Sequence, residues 1–163
     1  MKASDAGFPL VELMVTLAVA AILLTVGVPS FQQLIMSNRL TAAANDMVVA
    51  ISVARSEAIK HNAAVNLNAD CSVSFDGGTV RAAVVPPANV NLDSVQALIA
   101  TPVGLLQVAD PGAGYSGLGA DINSTSITSG NHRCVYLATG SAISICRDST
   151  ACGGTTPNAS WAN

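Results

Sequence analysis

The chain has 163 residues, of which 50% are hydrophobic, only 4% aromatic and only 10% charged. Its mean hydropathy of +0.49 is too high for a disordered segment or an ordinary soluble domain. A formal net charge of -3 excludes the global basic excess of a general nucleic-acid binder. A membrane-associated or partly membrane-embedded protein remains.

The apolar residues gather near one end. The first seven residues, MKASDAG, form a short polar leader with one basic residue, Lys2. Gly7 precedes the apolar run, whereas a secretory signal peptide places its small cleavage residue after it. From Phe8 the chain is long and apolar enough to cross a bilayer as a helix of about 20 residues. Glu12 interrupts that run, and burying a carboxylate there costs roughly 2.5–3.5 kcal/mol on insertion scales. It becomes tolerable beside a cation. Cleavage after Gly7 would supply one, as a new α-amino group on Phe8.

The string Gly7-Phe8-Pro9-Leu10-Val11-Glu12-Leu13-Met14-Val15 resembles the prepilin processing site of type IV pilins and type II secretion pseudopilins. That resemblance implies a leader of residues 1–7, cleaved between Gly7 and Phe8, with Phe8 N-methylated. It makes Glu12 the carboxylate required for subunit assembly and Pro29 the proline that bends the helix. Pro9 stands where the family usually has threonine, and proline is tolerated in a helix's first turn because its missing N–H has no partner there.

Beyond Pro29 the helical period continues. Leu40, Ala44, Met47, Ile51, Ala54 and Ala58 fall on one face, with Asn45, Ser52, Arg55 and Ser56 off it. A single helix is expected from Phe8 to about Lys60, about 80 Å long. Its transmembrane and assembly half spans 8–29 and its amphipathic half 30–61. Gly27 and Pro29 both lower helix propensity, by about 1 and 3 kcal/mol relative to alanine, so a kink or an unwound stretch is expected between them. The segments Leu34–Leu40 and Ala54–Ala58 are similar to the FimT/FimU/GspH group of minor pilins and pseudopilins. The resemblance covers the first 60 or so residues closely and the remainder in outline.

Residues 62–163 read as a β-rich head. Alternation predicts strands at 64–68 and 71–75, then a turn at Asp76-Gly77-Gly78 leading into 79–85. Further strands are expected at 103–108, and a hairpin of 133–137 with 142–146 turning near Thr139-Gly140. Residues 110–130, rich in Gly, Ser and Asn, read as a long surface loop. A small antiparallel sheet packed on the Leu40–Ala58 stripe satisfies both patterns, so the fold class is α+β and pilin-like.

Cys71, Cys134, Cys146 and Cys152 all follow the apolar segment, and an even count suggests two disulfides with three possible connectivities. Cys146–Cys152 would close a short loop, leaving Cys71–Cys134 to tie an early strand to a late one. No CxxC pair supports a zinc site, and Asp110 and Asp121 are too separated to suggest converging calcium ligands. No cofactor or metal is expected. No hydrolase, metalloprotease or nucleotide-binding motif is present; His61 and His132 are isolated, and the expectation is of a protein that is not an enzyme.

The reading is therefore a minor subunit that helps to assemble or prime a type IV pilus or a secretion pseudopilus. Its implied partners are prepilin peptidase, other major and minor pilins or pseudopilins, an inner-membrane assembly platform and membrane lipid. Its implied location is the inner membrane, single-pass with a periplasmic head, and then the filament. The alternative is a DNA-binding minor pilin acting in natural transformation. By resemblance such proteins carry Gly-Arg-x-Arg on a C-terminal hairpin, but Gly140-Ser141-Ala142-Ile143 holds neither arginine. Arg133 and Arg147 would be the residual basic edge, and phosphate attraction asks for more charge than that. A third possibility is a bitopic membrane protein that is never cleaved and forms no filament.

Overall fold

The computed structural model describes residues 10–108 and 112–153. In chain order it contains α1 (Leu10–His61), β1 (Val65–Leu67), β2 (Val73–Phe75), β3 (Gly78–Arg81), β4 (Asn91–Asp93), β5 (Leu98–Ala100), β6 (Leu106–Gln107), β7 (Gly117–Asn123), β8 (His132–Ala138) and β9 (Ala142–Asp148). The architecture is α+β and pilin-like. The chain divides into two compact units, Met1–Ile35 and Met36–Asn163.

In the first unit every residue from 10 to 35 is exposed. Its exposed large side chains include Leu13, Leu17, Ile22, Leu24, Val28 and Phe31. An 18-residue window of this helix has a mean hydropathy of 2.4, so it is long and apolar enough to cross a membrane. Thr16 Oγ1 donates to Leu13 O at 2.8 Å and Thr25 Oγ1 to Ile22 O at 2.7 Å. Both hydroxyl protons are thus satisfied within the helix and ask nothing of an apolar surrounding. The helix runs unbroken through Gly27, Val28 and Pro29, so an unwound stretch does not occur at these residues. A single proline removes one helical donor, and the regular bonds on either side keep the turn together.

In the second unit α1 turns amphipathic. Met36, Leu40, Ala43, Ala44, Met47, Ala50, Ile51, Ala54 and Ala58 are buried, which includes all six positions expected from the spacing. The helix ends where Asn62 adopts φ 48°, with Asn62 N–H donating to Ile59 O and Ala63 N–H to Ala58 O. This is the paired-bond C-terminal cap that a left-handed residue permits. Glu57 pairs with Lys60 and lies 3.2 Å from His61 Nε2, and the Lys60 ammonium sits at the negative end of the helix dipole.

Two antiparallel sheets share the core with this helix, rather than the one sheet expected. The first has the order β3-β2-β1-β5-β6 and the second β4-β7-β8-β9. Asp76 (φ 49°) and Gly77 (φ 75°) form the two-residue turn between β2 and β3, as two consecutive positive φ values require. The expected strand 79–85 stops at Arg81, ahead of Pro86-Pro87. The expected strand at 103–108 is only β6, because Thr101 to Leu105 make a tight turn closed by Thr101 N–H to Leu105 O at 2.8 Å.

The largest departure lies in the expected surface loop. Gly117–Asn123 is β7, an almost wholly buried inner strand between β4 and β8. Its glycines are there for closeness: a Cβ on Gly119 would lie 2.5 Å from Leu137 Cδ1. A bulge between Leu118 and Ala120 sends Leu118 to one face of the sheet and Ala120 to the other.

The β8–β9 turn ties the head together. Gly140 O accepts from Leu106 N–H at 2.9 Å and from Arg55 Nη2 at 3.0 Å, while Gly140 N–H donates to Tyr115 O at 2.7 Å. Gly140 has φ 69°, and a Cβ there would sit 2.5 Å from Leu106 O and 2.9 Å from Gly114 Cα. Both neighbours are backbone and cannot swing away. Gly140→Ala should therefore lose more than about 2 kcal/mol, combining left-handed strain with the collision. Denaturant unfolding of the head checks this, and an unchanged midpoint would contradict it.

Candidate functional site

The residues singled out from the sequence fall in three places. Gly7 and Phe8, the expected processing pair, lie outside the described residues, as does Asp110. Glu12 sits in the first turn of α1, where the helix dipole favours a negative charge. It belongs to the uncovered apolar surface of residues 10–35.

Three of the four cysteines gather on one face of the second sheet, and Cys71 lies apart in the main core. Strand residues alternate faces. Val135 and Leu137 of β8 join the main core, while Cys134 and Tyr136 form a smaller cluster on the other face with Cys146, Leu118 and Cys152. Cys134 and Cys152 are joined by a disulfide, with Cα atoms 5.6 Å apart. The pairings expected from spacing, Cys146–Cys152 and Cys71–Cys134, do not occur, and Cys71 and Cys146 are free. Cys71 cannot meet Cys134 because it is buried in the main core, its sulfur 3.1 Å from Met47 Sδ. Burial pushes the Cys71 thiol up to about 11, leaving it a poor nucleophile near neutrality. Cys146 is directly opposite Cys134 across the β8–β9 ladder, and desolvation raises its thiol to about 11 as well.

Arg133 is buried rather than presented on a basic edge. Its Nη2 donates to Ser37 Oγ at 2.8 Å, its Nη1 to Gly130 O at 2.8 Å, and its Nε to Thr41 Oγ1 at 3.3 Å. Desolvation, and secondarily Arg147, lower its pKa. Being one step out of phase with Cys134 on β8, it points toward α1 and fastens that helix to the sheet. It is thus withdrawn from any nucleic acid, and Arg147 alone of the two is exposed. Nothing here supports the DNA-binding alternative.

His132 is not isolated. On the face that carries Cys134, its Nδ1 lies 2.7 Å from Asp121 Oδ1. The other carboxylate oxygen, Oδ2, accepts from Cys152 N–H at 3.1 Å. Asp121, His132 and Cys152 thus converge, each with one potential ligand atom and all three atoms within 4.8 Å of one another. Sequence spacing could not find this trio, because it depends on β7 being a strand and on the register that sets Asp121 opposite Cys134. His61, by contrast, stacks on Phe75 with ring centroids 4.4 Å apart.

Two outcomes follow for these residues. Non-reducing peptide mapping should recover a Cys134–Cys152 cross-link with Cys71 and Cys146 alkylatable only after unfolding, and reduction should cost about 2–4 kcal/mol of head stability. Arg133→Ala should destabilise the head by about 1–3 kcal/mol, through the acceptors it strands, as read by thermal unfolding.

No curated protein and no solved structure matches the chain. A family model does: Type II transport protein GspH, over residues 43–159. That span begins within the amphipathic part of α1 and takes in the strands that pack on it. The chain belongs to the GspH family and is a minor pseudopilin of the GspH/FimT group.

Proposed function

We propose that this chain is made as a prepilin, cut between Gly7 and Phe8 by prepilin peptidase, and built as a minor subunit into a type II secretion pseudopilus. The family match favours the secretion filament over the type IV pilus. The observation that carries the assembly reading is the run of exposed residues from 10 to 35, among them Leu10, Val11, Met14, Val15 and Leu23. Each large apolar side chain gains about 1.5–3 kcal/mol on full removal from water. Lipid satisfies that demand before assembly, and the helices of neighbouring pseudopilins satisfy it afterwards.

Glu12 is the polar exception on this surface. Once the leader is removed, the Phe8 amine offers the charge partner that a carboxylate needs in apolar surroundings. The pairing amine belongs to the same chain or to the adjacent subunit, and it sets the axial register as the subunit leaves the membrane. Gly27 and Pro29 are the weak points at which the helix bends as it packs into the filament. The inner membrane holds the subunit by this helix, with the head in the periplasm, where the assembly platform and the other pseudopilins receive it.

Glu12→Ala should be processed and remain in the membrane but lose most of its incorporation into filaments, read by immunoblot of sheared pseudopili. N-terminal sequencing should give methylated phenylalanine as the first residue of the mature chain. Incorporation of Glu12→Ala at the wild-type level, or recovery of the leader intact beside an active peptidase, would overturn the proposal.

A further inference from the structure

We propose that the head carries a redox-gated Zn²⁺ site, in which Asp121, His132 and the Cys152 thiolate hold the ion only when the Cys134–Cys152 disulfide is open. The inference is independent of the filament reading and rests on the outer face of the second sheet. The three ligand atoms lie within 4.8 Å of one another. Zinc bonds of about 2.0–2.3 Å place neighbouring ligands about 3.3–3.8 Å apart, so holding the ion opens the 2.7 Å His132 Nδ1–Asp121 Oδ1 contact slightly and draws any wider separation in by no more than about an ångström. One carboxylate oxygen, one imidazole nitrogen and one sulfur form the mixed donor set that zinc accepts, with a position left for solvent.

The scaffold keeps these groups together without help from the sulfur–sulfur bond. Asp121 and His132 stand on paired strands, β7 and β8. The segment bearing Cys152 is fastened by two hydrogen bonds, from Cys152 N–H to Asp121 Oδ2 at 3.1 Å and from Tyr136 Oη to Gly153 O at 2.7 Å. Opening the disulfide therefore frees the sulfur while its backbone stays tied to the other ligands. Asp121 is 5% exposed, so its carboxylate gains from a cation that bulk water screens poorly.

The gate follows from sulfur chemistry, since the thiolate is the metal ligand and a disulfide sulfur is not. With a phosphine reductant, the sulfur–sulfur bond breaks, phosphorus takes an oxygen from water, and the two sulfurs take its two protons. Binding of Zn²⁺ then releases the Cys152 proton to solvent. In the reverse direction the two sulfurs give two electrons to an external disulfide. That oxidant leaves as a dithiol, taking the Cys134 proton and one from solvent, while the sulfurs join and Zn²⁺ departs.

The test uses the full-length chain in detergent micelles, titrated with Zn²⁺ alone against a chromogenic chelator. The phosphine-reduced chain should bind one equivalent at least about a hundredfold more tightly than the oxidised chain. His132→Ala and Asp121→Asn should each weaken the reduced form by about tenfold or more, and Cys134→Ser should bind without reductant. Co²⁺ should give a thiolate charge-transfer band that Cys152→Ser abolishes, and that Cys71→Ser and Cys146→Ser keep. Equal affinity of the oxidised and reduced chains, or unchanged binding in Cys152→Ser, would overturn the site. If a variant fails to fold, melting of the reduced wild type decides: Zn²⁺ should raise its midpoint and leave that of the oxidised chain unmoved, and no rise overturns the proposal.

Discussion

The head depends on one buried stripe of α1, in which small and large side chains alternate. Ala43, Ala44, Ala50, Ala54 and Ala58 are fully buried, as are Leu40, Met47 and Ile51. The alanines let strands approach the helix closely, and the larger residues fill the spaces between them at the density of a protein interior. Val65, Leu67, Val73, Leu98 and Leu106 reach this core from the first sheet, and Ala120, Ile122, Val135 and Leu137 from the second. The strands of the first sheet are at most 4 residues long, and packing against the helix stabilises so short a ladder. Polar fasteners from Arg55 and Arg133 run along the margins of the stripe.

The same helix meets two different requirements along its length. Around Leu40 to Ala58 one face is buried by the chain's own strands. Between residues 10 and 35 there is no such division, and apolar side chains point outward all round. A helix apolar on every side belongs in lipid or among other helices. Membership of the GspH family gives that surface its natural setting among other pseudopilins.

How far the fold could be read in advance followed from how local each signal was. The helix and its stripe were legible, because a 3.6-residue period is written in adjacent turns. The Asp76-Gly77 turn and the β8–β9 hairpin were legible for a similar reason. β7 was not: Gly117, Gly119, Asp121 and Asn123 are loop-type residues, and only tertiary contacts make them a strand. Asp121 is satisfied by His132 and the Cys152 amide, and Asn123 Nδ2 by Asp93 Oδ2 at 2.6 Å. The cysteine pairing was hidden in the same way. Cys71 is sealed in the main core while Cys134, Cys146 and Cys152 share the other face of the second sheet, and a count of intervening residues does not carry that information.

The Thr139–Gly140 turn separates what the fold needs from what the surface shows. Its backbone is committed, through the Gly140 carbonyl and amide, to β6, the Tyr115 segment and α1. The side chains of Ser141 and Ala142, immediately after it, are exposed. A hairpin tip constrained in its main chain and exposed in its side chains is a ready site of divergence. Substitutions at 141 and 142 can give related heads different chemical personalities while the knot beneath them stays the same.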